Sequence, residues 1–107
     1  MTALDRTFSA LADPTRRAIL ARLAQGEATV GQLAEPFDIS PPAISRHLKV
    51  LEEASLISNE RQGKHRRCRL KPEALASAGE WLDFHRRFWS GSFDRLNAHL
   101  SAKEKKP

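Results

Sequence analysis

The stretch that most restricts the fold is residues 39–56, ISPPAISRHLKVLEEASL, where several independent signals for one α-helix coincide. Ser40 stands at the N-cap position, with a hydroxyl able to accept an orphan backbone N–H of the first turn. Pro41 and Pro42 follow in that turn, where a missing N–H costs nothing and a fixed φ favours the helix. Ile44, Leu48 and Leu51 then repeat at i, i+4 and i+7 and make one apolar stripe. Pro42, Ser45, Arg46, Lys49 and Glu52 fall on the other side, so small and cationic groups lead the exposed face. Just upstream, residues 30–37 read as a shorter helix with Leu33, Ala34 and Phe37 inward, joined to the first through Asp38-Ile39. Two helices linked by so tight a turn, the second with a polar leading face, predict a helix-turn-helix.

The flanking chain supplies the remaining elements. Residues 2–12 form an amphipathic helix with Leu4, Phe8 and Leu11 on one face. Asp13-Pro14 restarts the chain as a cap and a first helical residue. The run TRRAILARLAQG places Ile19, Leu20 and Leu23 at core spacing and stops at Gly26. Thr29-Val30 is open to two readings, a brief strand or the cap of the next helix. Beyond Leu56 the period changes: residues 56–61 and 66–70 are extended runs around Gln62-Gly63-Lys64-His65, which predicts a β-hairpin. Ile57, Cys68 and Leu70 are its inward side chains. Pro72-Glu73 ends the hairpin, and a long helix over about residues 74–101 closes a single domain over 1–101, with a disordered tail at 102–107. The fold class expected is mainly α with a small β-hairpin.

Charge narrows the partners. The chain carries +5 with a pI near 10.0, a balance that favours an anionic partner. Residues 60–71 hold Arg61, Lys64, Arg66, Arg67, Arg69 and Lys71 against Glu60 alone, a local excess of +5 equal to that of the whole chain. The cationic charge is therefore concentrated on one hairpin beside the helix-turn-helix. At 107 residues and 40% hydrophobic, the chain suits one domain with a modest core. One cysteine excludes an internal disulfide and a four-cysteine zinc cage, and fits a reducing cytoplasm. No apolar run approaches the roughly 18 residues of a membrane span, and Asp5 interrupts the N-terminus, which predicts no signal peptide. No Gly-rich phosphate loop, G-x-S-x-G or H-E-x-x-H motif supports an enzyme.

The last helix carries Trp81, Phe84, Phe88, Trp89 and Phe93, five of the seven aromatics, followed by Leu96 and Leu100. They wrap over more than a third of its circumference. A domain this small cannot bury them alone, so part of that surface is expected to meet a second copy.

Taken together, FSALADPTRRAIL, TVGQLAE, ISPPAISRHLKVLEEASLI and the basic hairpin resemble the ArsR family of winged-helix bacterial transcriptional regulators, over about residues 4–71. GEWLDFHRRFWSGSFDRL resembles an aromatic-rich branch of it. The resemblance implies a homodimer held by the first and last helices, with Leu4, Phe8, Leu11, Trp81, Phe84, Phe88, Trp89, Phe93 and Leu96 in the seam. It also implies a recognition helix in each major groove and a hairpin wing along the backbone, in a repressor whose DNA affinity falls when a signal arrives. One family metal site uses C-x-C on the first helix of the pair, and VGQLAE has no cysteine there. Another uses D-x-H on the last helix: Asp83-Phe84-His85 matches its first half, but the later histidine falls on Leu96, with Asp94 and His99 displaced. No metal and no cofactor are expected, although a sensing role for Asp83 and His85 stays open.

On this reading Ser45 and Arg46 meet base edges, since serine suits several bases and arginine grips guanine with two bonds. Lys49, two turns in, meets phosphate. His47 divides between core and backbone contact, and Pro42 either starts the helix or touches a thymine methyl. Gln32 and Ser40 complete the helix-turn-helix contacts. In the wing Lys64, His65 and Arg66 lead, with Arg61 and Arg67, while the facing of Arg67 and Arg69 is left open. Cys68 is a small core residue; exposed among cations, it would instead suit a redox sensor. The function expected is that of a cytoplasmic homodimeric repressor of a pseudo-palindromic double-stranded operator. The alternatives are a metal- or thiol-responsive sensor of the same fold and a non-specific nucleic-acid binder.

Overall fold

The computed structural model describes residues 1–104, the side chains of Phe93 and residues 101–104 excepted. The expectations for the Phe93 side chain and for the tail beyond residue 104 lie outside the described residues. In chain order the elements are α1 (Ala3–Leu11), α2 (Pro14–Leu23), β1 (Ala28–Thr29), α3 (Val30–Ala34), α4 (Pro41–Glu53), β2 (Ile57–Gln62), β3 (His65–Leu70) and α5 (Pro72–Glu104). The helical backbone of α5 thus starts earlier than expected and runs past residue 101.

Caps decide where the helices begin. Thr2 and Asp5 exchange bonds in a capping box at α1, and Asp13 accepts from the Arg16 N–H at 3.0 Å, with Pro14 opening α2. The arginines after Pro14 close the preceding helix. Arg16 donates to the carbonyls of Ala10 and Ser9, and Arg17 to that of Leu11, satisfying the end of α1. Both readings of Thr29 hold at once: it pairs with Arg67 of β3 and also caps α3. That helix is shorter than expected because Pro36 has no N–H to extend the ladder. Ser40 caps α4 through the Ala43 N–H, as its sequence predicts.

The three strands form one antiparallel sheet in the order β1-β3-β2. The hairpin closes through the two-residue turn Gly63-Lys64, with Gln62 opposite His65 and Gly63 at φ 62°, a conformation that favours glycine. β1 adds a third strand to the expected pair, with Ala28 opposite Cys68.

Ile44, Leu48 and Leu51 anchor α4 in a core with Ile19, Leu20 and Leu23 of α2, Leu33 of α3, Leu56, and Ile57 and Cys68 of the sheet. Truncating one such leucine costs about 2–5 kcal/mol, out of the roughly 5–15 typical of a domain. The opposite face of α4 is thereby held outward. The 33 residues of α5 make a rod about 50 Å long. It stretches the molecule to 65 × 31 × 25 Å with a radius of gyration of 18.8 Å, where a compact chain of this length would give about 13 Å.

Candidate nucleic-acid interface

The exposed face of α4 carries Pro42, Ser45, Arg46, Lys49 and Glu52, all accessible. Ser45 and Lys49 also form one wall of an open cleft of about 670 Å³, whose other wall is the hairpin tip with Lys64, His65 and Arg66. The structure therefore brings together residues from opposite sides of the helix–hairpin boundary that the sequence singled out separately. Glu52 of the same helix face lines the cleft too, with Glu53 and Asn59, which the sequence did not single out, and the Asn59 Oδ1 is buried without a hydrogen-bond partner among the described residues. Arg46 stands on the exposed face of α4 outside the cleft lining.

Strand alternation sorts the wing's charges onto two faces. Ile57, Asn59, Arg61, Arg66, Cys68 and Leu70 share one face, paired as Ile57↔Leu70, Asn59↔Cys68 and Arg61↔Arg66. Ser58, Glu60, Arg67 and Arg69 share the other. There Arg69 reaches Glu27 Oε2 from Nη2 at 2.8 Å and from Nε at 3.1 Å, and Arg67 reaches Glu27 Oε1 at 3.4 Å. Arg67 Nε also donates to Gln62 Oε1 at 3.0 Å. The Arg69 guanidinium beside Glu27 holds its carboxyl below the usual glutamate range, and the pair raises Arg69 in turn. Arg67, expected among the DNA contacts, is thus tied to an acid on the face away from the cleft. Arg61 folds back on the turn, donating to the Gly63 carbonyl. Among the described residues Arg46, Lys49, Lys64 and Arg66 form no ion pair.

Three further expectations meet the structure here. Gln32 is exposed, but its Oε1 accepts from the Thr29 N–H at 2.9 Å, so the side chain serves the capping box of α3 and leaves only its amide NH₂ for a ligand. His47 is half-buried: its Nδ1 lies 3.3 Å from Arg16 Nη1 and 3.8 Å from Asp13 Oδ2, so the ring couples α4 to the α1–α2 elbow. The backbone N–H of Arg16 is the main cause that lowers the Asp13 carboxyl. Cys68 is fully buried, and burial pushes its thiol up, helped by Glu52 and opposed by Arg66. That is the setting of a core residue and the reverse of what a reactive thiolate needs.

On α5 the aromatic series divides. Trp81 packs edge-to-face on Phe8 of α1, with ring centroids 5.6 Å apart. The His85 ring lies tilted between Trp81 and Trp89, with ring centroids 4.1 and 5.6 Å away, and Asp83 pairs with Arg86 at 3.3 Å. The two members of the D-x-H triplet are therefore engaged separately. Leu4 and Phe8 are half-buried and Leu11 packs against the chain's own core, whereas Phe84 and Phe88 are 66% and 76% exposed and Trp89 and Leu96 are also open.

The family model of a helix-turn-helix domain matches residues 11–59. Over 86 residues the chain is 48% identical to an HTH-type transcriptional regulator of Mycobacterium tuberculosis, covering 80% of this chain and 78% of that protein. It is 40% identical over 79 residues to the transcriptional repressor SdpR of Bacillus subtilis, covering 74% and 88%. Among solved structures, the crystal structure of an ArsR family transcriptional regulator superposes with a TM-score of 0.79 at 40% identity, covering 83% of this chain and 98% of that one. The homodimeric winged helix-turn-helix DNA-binding domain of a possible ArsR-family regulator from Mycobacterium bovis gives 0.63 at 27% identity, covering 82% and 83%. With a wing set against a helix-turn-helix of this kind, and a relative 48% identical over 80% of this chain, the chain belongs to the ArsR family of winged helix-turn-helix transcriptional regulators.

Proposed function

We propose that this regulator is a cytoplasmic homodimeric repressor of a pseudo-palindromic DNA operator, with α4 in the major groove and the wing tip on the adjoining backbone. The observation that carries the reading is the convergence of Ser45, Lys49, Lys64 and Arg66 on one open cleft, with both lysines and Arg66 free of ion pairs among the described residues. Ser45 and Arg46 then read base edges while Lys49, Lys64 and Arg66 meet phosphate. The exposed apolar face of α5 supports pairing with a second copy, as does the homodimeric solved neighbour. Two-fold symmetry places the half-sites about 34–36 Å apart, one turn of the duplex. The similarity to a named repressor favours repression as the outcome.

Selecting bound duplexes from a random library, then titrating the selected site and a scrambled one at fixed salt, tests this. The specific site should bind at least ~10³-fold more tightly. Equal affinity for both would leave a non-specific nucleic-acid binder and overturn the proposal. Transcription in vitro from a promoter carrying the selected site should fall on adding the protein; a rise would overturn repression.

A further inference from the structure

We infer that Glu27 is a positioning residue for DNA binding: it holds Arg67 and Arg69 on the outer face of the wing and so withholds two cations from phosphate. The inference rests on the wing docking proposed above. Extending the β1–β3 register from Ala28↔Cys68 sets Glu27 directly across from Arg69. Each carboxylate oxygen serves one arginine, Oε2 taking Arg69 at 2.8 and 3.1 Å and Oε1 taking Arg67 at 3.4 Å. On the other flank of β3, Glu60 stands opposite Arg67. Two acids against two arginines make this face neutral, although it carries a third of the wing's cations. The cleft side keeps Lys64 and Arg66 without such partners among the described residues.

The consequence concerns specificity more than stability, because exposed ion pairs add little to folding. Phosphate contacts raise affinity for every duplex alike. A regulator is useful only if its specific affinity stands far above that background. Neutralising the outer face removes sequence-blind contacts and keeps the wing's positive edge on the side of α4, where base reading takes place. Glu27 lies outside both elements that touch DNA in the proposed docking, and it acts through Arg67 and Arg69.

The test compares the wild type, Glu27→Gln, the pair Arg67→Gln with Arg69→Gln, and the triple variant. Each is titrated on the selected operator and on scrambled duplex between about 50 and about 200 mM salt. Glu27→Gln should tighten binding to scrambled duplex and shrink the specific-to-scrambled ratio. It should also steepen the plot of log affinity against log salt by about 0.9 per subunit for each released arginine that reaches a phosphate. The arginine pair should leave the wild-type slope unchanged yet cancel the steepening in the Glu27→Gln background. Melting and circular dichroism confirm that the exposed, isosteric change keeps the fold. An unchanged slope in Glu27→Gln overturns the inference, as does equal flattening by the arginine pair with and without Glu27. Lys64→Gln separates the two readings: if it fails to flatten the slope in any background, the wing docking itself is wrong.

Discussion

Ser55 adopts φ 59° directly after α4, the one non-glycine in the left-handed region among the described residues. The bonds around it explain why: Ser55 N–H donates to the Glu52 carbonyl and Leu56 N–H to that of Leu51, the paired closure of a Schellman end. A glycine there would keep both bonds without the Cβ penalty, so Ser55→Gly should raise stability by about 0.5–1 kcal/mol, read as a higher urea midpoint with operator affinity unchanged. Arg46 is the sharper functional test. Arg46→Ala should cost about 1–3 kcal/mol at one base pair and relax selection there; a uniform loss on all duplexes would make it a phosphate contact. Gln32 is governed by a rule legible in the local sequence. Thr29-x-x-Gln32 is a capping-box spacing, and it already occupies the side chain that was expected on DNA.

The wing is the element whose charge most depends on its neighbours. Lys64→Ala should weaken specific and scrambled duplexes alike and lower the salt slope by about 0.9 per subunit, measured by fluorescence anisotropy. The outer-face network also carries a pH dependence of definite sign. Glu27 titrates lower in the folded chain than in the unfolded one, chiefly through Arg69. Its contribution is therefore fully present above the ordinary glutamate range and is lost as pH falls through the depressed folded value. Asp13, lowered mainly by the Arg16 N–H, has the same sign. Stability measured in urea should decline on acidification through this window. Replacing Glu27 with Gln and Asp13 with Asn should flatten that decline, and an identical profile in the variant would show that other carboxylates carry it.

At the scale of the whole molecule, α5 is the outlier: a rod that carries exposed Phe84, Phe88 and Trp89 away from the core and raises the radius of gyration to 18.8 Å. Phe88→Ala should shift sedimentation at micromolar concentration toward the single subunit while far-ultraviolet dichroism stays constant. Loss of helix content in step with mass would place Phe88 in the fold of one chain. Phe88 isolates the seam better than Trp81, whose ring also packs on Phe8 within the chain.

What the sequence by itself determined is what short-range chemistry determines. The Ser40-Pro41-Pro42 start, the Ile44, Leu48 and Leu51 stripe and the glycine turn of the hairpin all depend on residues a few positions apart, and each stands where the pattern puts it. Which of the wing's six cations stay free was decided only by tertiary structure. Glu27 reaches Arg67 and Arg69 from 40 and 42 residues upstream, beside a two-residue strand whose partner and register no local pattern specifies. His47 is likewise held by Arg16, 31 positions away. Periodicity records which side of an element a residue occupies, but the charge or ring waiting on that side comes from a distant part of the chain, brought there by burial of the common core.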